Sequence, residues 1–81
     1  MGQRIREVLE EKFPGIDVDL DEAPGERVNG HVVWEGFTGH DHVDRQQRVR
    51  QALREGLGAE MQQVGILLTY TPRELRAMLA A

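Results

Sequence analysis

Three histidines, a glycine-framed turn and a run of arginines are the residues of this chain whose types and spacing suggest chemistry. His40 and His42 flank Asp41, and two imidazoles beside a carboxylate are a partial ligand set for zinc or nickel. So short a turn would struggle to bring all three donors around one ion, and no cysteine is present to help. Surface or turn histidines are therefore the favoured reading. His31 opens the short run His31-Val32-Val33-Trp34, which suits a partly buried, hydrogen-bonded side chain on a strand. No catalytic constellation emerges. There is no cysteine nucleophile, the one tyrosine falls at a strand end, and Thr38, Thr69 and Thr71 lack a histidine–carboxylate partner in sequence context.

Gly36-Phe37-Thr38-Gly39 has the Gly-x-x-Gly spacing by which some nucleic-acid-binding loops clamp a phosphate backbone. Two glycines let a phosphate approach main-chain N–H groups. The middle positions of such loops are usually basic, whereas here they are Phe and Thr. A strand-to-helix turn around a buried Phe37 is the better reading, with glycine serving its steric role. Arg45, Arg48, Arg50 and Arg54 follow with no acid among them. Turning about 100° per residue places Arg48 on one flank of the apolar stripe and Arg50 on the other, so they form no single ridge. Arg45 falls near the stripe edge, where an arginine commonly satisfies a carboxylate or strand-end carbonyls. Arg48 and Arg50 are the better contact residues. The single tryptophan, Trp34, reads as sheet-face packing.

The elements that must position these residues are legible from periodicity. Ile5, Val8, Leu9 and Phe13 share one helix face, and Pro14-Gly15 ends that helix. Ile16, Val18 and Leu20 alternate with Asp17, Asp19 and Asp21, which predicts a half-buried strand with an acidic outer face. Residues 21–30 read as a loop with Pro24-Gly25 and Asn29-Gly30 as turn dipeptides, and a second strand is expected from His31. The next helix should start between Asp41 and Asp44, bury Val49, Ala52, Leu53 and Leu57, and stop at Gly58. Val64, Ile66, Leu68 and Tyr70 alternate along a last strand, with Leu67 on its opposite, partly covered face. Thr71-Pro72-Arg73-Glu74 carries an N-cap, an N1 proline and a capping-box glutamate. Leu75, Met78 and Leu79 give the final helix an apolar side. The fold class is α/β in the α+β sense, a single small domain over residues 1–81 in the order α-β-β-α-β-α. One three-stranded sheet with helices packed on it would bury every stripe.

Composition narrows the function. With 81 residues, a large substrate cavity would come at the expense of the core. The absence of cysteine excludes a disulfide framework and a thiolate metal site, and fits a reducing cytoplasm. No apolar run approaches the roughly 18 residues of a membrane span, and no signal-peptide core is apparent. Within the net charge of −4, residues 1–44 hold eleven acids against four bases, and residues 45–81 hold six bases against three acids. A nucleic-acid binder usually carries a basic excess over the whole domain, so any such binding here would be local, weak and salt-sensitive.

Phe37 and Gly39, Arg45, Leu53, Tyr70-Thr71-Pro72 and Glu74 together resemble the signature of the BolA-like family, within the KH-like group of α/β domains. The similarity runs from Ile5 to about Leu75. Phe37 and Gly39 match a Phe-x-Gly turn, and Arg45 falls where the family has the first arginine of an Arg-x-Arg pair. The second position holds Gln47, with Arg48 immediately after it.

The resemblance implies a non-enzymatic cytoplasmic adaptor that partners a monothiol glutaredoxin in iron–sulfur handling or stress response. The alternatives are a KH-like nucleic-acid-binding transcriptional regulator, or a divergent protein-interaction domain without cluster ligation. Phe37, Gly39, Arg45, Arg48 and Arg50 are the expected contact positions for a partner or nucleic acid, and no membrane or small-molecule substrate is expected. Family members share a 2Fe–2S cluster through a histidine just before the last strand and a cysteine or histidine in the loop between the first two strands. Those places correspond here to Gln63 and, at the end of a loop with neither ligand, to His31. A glutamine amide is a poor iron ligand. The isolated protein is therefore expected to carry no metal or cofactor, and any cluster would be shared with the partner.

Overall fold

A computed structural model describes all residues, 1–81. Helix α1 spans Gly2–Lys12, strand β1 Asp17–Asp21 and strand β2 Val28–Val33. A 3-10 turn at Glu35–Phe37 leads into helix α2, His42–Leu57, and a second at Gly58–Gln63 leads into strand β3, Val64–Tyr70. Helix α3 is Pro72–Ala80. The order is the expected α-β-β-α-β-α. The sheet runs β1-β2-β3, with β1 antiparallel and β3 parallel to β2. Parallel pairing needs a long crossover, and α2 supplies it.

The predicted stripes of α1 and α2 form the core. Ile5, Leu9 and Phe13 from α1 and its end pack with Val49, Ala52, Leu53 and Leu57 of α2 beneath the inward residues of the sheet. Asp41 caps α2, its side chain accepting from the Asp44 amide, and Gly58 ends the helix at positive φ. On β1, Val18 is buried while Asp17, Asp19 and Asp21 stay exposed, as the alternation predicts.

Three expectations are corrected. First, Asn29-Gly30 is not a turn dipeptide. Strand β2 begins at Val28, and Asn29 and Gly30 pair with Asp21 and Leu20. A Cβ at Gly30 would lie 2.1 Å from the Asp19 carbonyl oxygen, so glycine is needed there for backbone approach.

Second, the phase of β3 is inverted beyond its first residue. Val28 pairs with Val64 but Gly30 pairs with Leu67, so β3 carries an extra residue in this interval. The bulge turns Leu67 and Thr69 inward, while Ile66 and Leu68 are left exposed. Asn29 holds it, since its side-chain oxygen accepts from the Ile66 amide at 2.7 Å. A Cβ on Gly65 would collide with that same oxygen, which explains the glycine.

Third, α3 does not bury its apolar side. None of its residues is buried, and Met78 and Leu79 are exposed. Its start is nonetheless firmly built. Thr71 accepts from the Glu74 amide at 3.1 Å, and Glu74 accepts from the Thr71 amide at 2.9 Å.

The inverted phase carries the Thr69 hydroxyl into the core without a hydrogen-bond partner. An orphaned buried hydroxyl loses its hydration with nothing in return. Thr69→Val keeps the shape and removes the polar atom. We expect it to raise the unfolding free energy in urea by about 1 kcal/mol; a loss of that size would mean the hydroxyl is satisfied.

Candidate functional site

The turn between β2 and α2 is built around aromatic rings and one arginine. Trp34 donates its indole N–H to the Pro14 carbonyl at 2.8 Å and meets Phe13 and Phe37 edge-on, with ring centroids 5.0 and 5.3 Å apart. Phe37 is 1% exposed and Arg45 5% exposed. The Arg45 guanidinium lies 5.8 Å from the Phe37 ring centroid, close enough for a cation–π contact. Gly39, at φ 84°, turns the chain so that the His40 carbonyl accepts from Arg45 Nε at 2.7 Å.

The two remaining faces of the guanidinium fork meet Glu74, at 2.6 and 3.1 Å. Paired donors on a carboxylate form the strong, oriented version of an ion pair. Glu74 thus serves α2 and its own helix cap together. These contacts hold its carboxyl down at about 2, first through Arg45 and then through the Thr71 amide. The carboxylate reading for Arg45 was available from the helix stripe, and Glu74 was legible as a cap. Their pairing was not, because it joins residues in two helices through tertiary structure.

Burial decides what the five expected contact positions can do. Phe37 and Arg45 offer almost no side-chain surface, so their contribution is to fix the turn. Gly39 is exposed. Arg48 is half exposed and pairs with Asp44, at 3.0 Å. It lines a groove of about 560 Å³ between α1 and α2, together with Lys12, Gln47, Gln51 and Glu55. Gln47 and Arg48 therefore face the same groove. Arg50 lines a different hollow, of about 350 Å³, with Arg27, Met61 and Gln62. The two arginines lie on separate flanks of α2, as its helical geometry predicts.

The histidines take local partners. His40 Nδ1 is 2.7 Å from Asp44 Oδ2, and Asp41 is occupied in capping α2. No group of three or more His, Cys, Asp or Glu side chains is placed to hold a metal ion. His31 lies 3.9 Å from Asp19 and packs edge-on to Tyr70.

His31 and Gln63 are not brought together. His31 is opposite Leu68, whereas Gln63 precedes Val64, which is opposite Val28. Three strand residues span roughly 10 Å. An amide at one of the two places does not fit a paired ligand set for a 2Fe–2S cluster.

A three-stranded mixed sheet backed by α1 and α2, with an arginine-locked Phe-x-Gly turn, defines a small BolA-type α/β domain. No family sequence model matches this chain, and no curated protein sequence does. Solved structures do. BolA1 from Arabidopsis thaliana is 27% identical, covers 90% of this chain and 93% of its own, and superposes with a TM-score of 0.68. A bolA protein homologue from Coxiella burnetii is 26% identical over 94% of this chain and 96% of its own, with a TM-score of 0.69. The BolA domain of SufE1 from Arabidopsis thaliana shares the fold, at 22% identity over 90% of this chain and 93% of its own, with a TM-score of 0.70. Over nearly its whole length this chain thus has the fold of BolA-like proteins.

Lowering the pH should test the Arg45–Glu74 link. A carboxyl depressed to about 2 from an ordinary 4.5 stabilises the fold fully above pH 4.5 and loses that contribution as pH falls toward 2. Stability of the wild type should therefore fall more steeply across that window than stability of Glu74→Gln. Parallel acid limbs in urea unfolding would show that the carboxylate does not carry the link.

Proposed function

We propose that this chain is a non-enzymatic, cytoplasmic adaptor that docks on a monothiol glutaredoxin and serves iron–sulfur handling or the stress response. The BolA-like fold supports the class. The observation that carries the reading is the placement of Arg48 beside Gln47 on the α1–α2 groove. The position where the resemblance expects an arginine is a glutamine, yet a guanidinium from the next residue reaches the same groove. The cation is displaced, not lost.

The rigid turn around Arg45 fixes the start of α2, so the groove is formed before a partner arrives. Preorganisation of this kind lowers the ordering cost of association. Asp44, Arg48, Lys12 and Glu55 give the groove alternating charge, Lys12 reaching Glu55 at 3.2 Å. A partner surface with matching alternation would be oriented as well as attracted.

Cluster ligation is a different matter. Gln63 offers only an amide, a weak donor to iron, at one of the two places that the resemblance assigns to ligands. The partner's cluster is thus expected to keep its own ligands on docking. Nucleic-acid binding has less support, because Arg48 and Arg50 line separate hollows and residues 1–44 carry eleven acids against four bases.

Mixing the protein with a monothiol glutaredoxin that carries its cluster tests the reading. A one-to-one complex should form with little change in the visible spectrum, and Arg48→Glu should weaken it by about tenfold, the loss of one charge-assisted contact. Gln63→His should alter the spectrum by returning an imidazole beside β3. Absence of a complex by light scattering or calorimetry would overturn the proposal. An unchanged Gln63→His spectrum would place the ligand position elsewhere.

A further inference from the structure

The sheet has a second face, turned away from α1 and α2, that the adaptor reading does not use. Across it run Asp17, Asp19 and Asp21 of β1, Asn29, His31 and the buried Val33 of β2, and Ile66, Leu68 and Tyr70 of β3. All three aspartates are exposed, and only His31, 3.9 Å from Asp19, stands near one of them as a counter-charge. Ile66 and Leu68 are 68% and 49% exposed. The face is thus acidic along one rim and apolar along the other. Between the rims lies a hollow of about 440 Å³ floored by Gly30 and His31.

Helix α3 is the converse surface. Five large hydrophobic residues are exposed in the whole chain, and four of them are Ile66 and Leu68 of β3 and Met78 and Leu79 of α3. Leu75, Met78 and Leu79 share one side of α3, with Arg76 on its flank and exposed. Glu74, on the other flank, is held by Arg45. That contact ties the first turn of α3 to α2, and Ile66 and Leu68 stay exposed on the outer face, where Val33 at the far end of β2 is buried.

A nine-residue helix is shorter than the roughly 12–15 residues needed for marginal stability alone. It normally relies on burying an apolar side, and here Leu75 is half-buried while Met78 and Leu79 are exposed. Its length of about 13 Å and diameter of about 10 Å match the outer face of three strands about 4.8 Å apart.

We propose that the chain forms a two-fold symmetric dimer in which each copy's α3 lies on the outer sheet face of the other. Leu75, Met78 and Leu79 cover Ile66 and Leu68 of the partner, and Arg76 meets its aspartate row. Exchange of one helix in each direction makes the contact self-complementary, as a closed dimer requires. It leaves the α1–α2 groove free, so self-association and adaptor docking are separate properties.

Sedimentation velocity on the full chain over a range from micromolar to millimolar provides the test, with circular dichroism to confirm folding. Wild type should pass from monomer to dimer. Arg76→Glu alone, or Asp19→Lys with Asp21→Lys, should weaken self-association at least tenfold, since each sets like charges against each other. An equimolar mixture of the two variants should dimerise again. In the mixed pair the altered helix meets the altered sheet, and the native helix meets the native sheet. Leu79→Glu, at a residue 74% exposed and so harmless to the fold, should weaken the dimer to a similar degree. A wild type that stays monomeric at millimolar concentration would overturn the proposal. So would a dimer indifferent to these changes, or a mixture that fails to re-associate.

Discussion

The bidentate contact between Arg45 and Glu74 is the constraint on which the rest of the molecule leans. One guanidinium closes three connections. It binds the carbonyl of the turn that follows β2, it lies against Phe37 in the aromatic cluster, and it grips the carboxylate that caps α3. Burying an arginine is costly unless its donors are satisfied, and here all of its nitrogens find acceptors. Removing Glu74 would leave a charge enclosed beside aromatic rings. The turn, the start of α2 and the start of α3 are therefore interdependent, and that interdependence gives the α1–α2 groove a fixed wall.

Much of this architecture was legible in the sequence because it rests on local chemistry. The capping box at Thr71-Pro72-Arg73-Glu74, the Asp41 cap, the Gly58 stop and the acidic alternation of β1 depend on neighbours within a few residues. So do the stripes of α1 and α2. What could not be read depends on partners far along the chain. Asn29-Gly30 has the composition of a turn, yet it lies in a strand because Asn29 answers the amide of Ile66, on another strand. The bulge at Gly65 then inverts the inward phase of β3. A strict alternation count has no means of registering one inserted residue.

The candidate site divides along the same line. That Arg48 and Arg50 lie on opposite flanks followed from helical geometry alone. The burial of Phe37 followed from the sterics of the glycine turn. By contrast, the partner of Arg45 and the separation of His31 from Gln63 are set by strand register and helix docking. The exposed side of α3 is the clearest miss. Its apolar periodicity has the pattern of a buried helix, and periodicity cannot say whether the surface that buries it belongs to the same molecule.

The parallel pairing of β2 with β3 has a consequence for how the chain assembles. Strands β1 and β2 are joined by a short connection and can meet early, whereas β3 reaches β2 only after residues 34–63 have been laid out as a crossover. Closing that long segment carries an entropic cost that the native contacts recover only when α2 is already in place. Until then the β2 edge of the hairpin is unpaired, and Arg45 can complete its contacts only once Glu74, beyond β3, is in place.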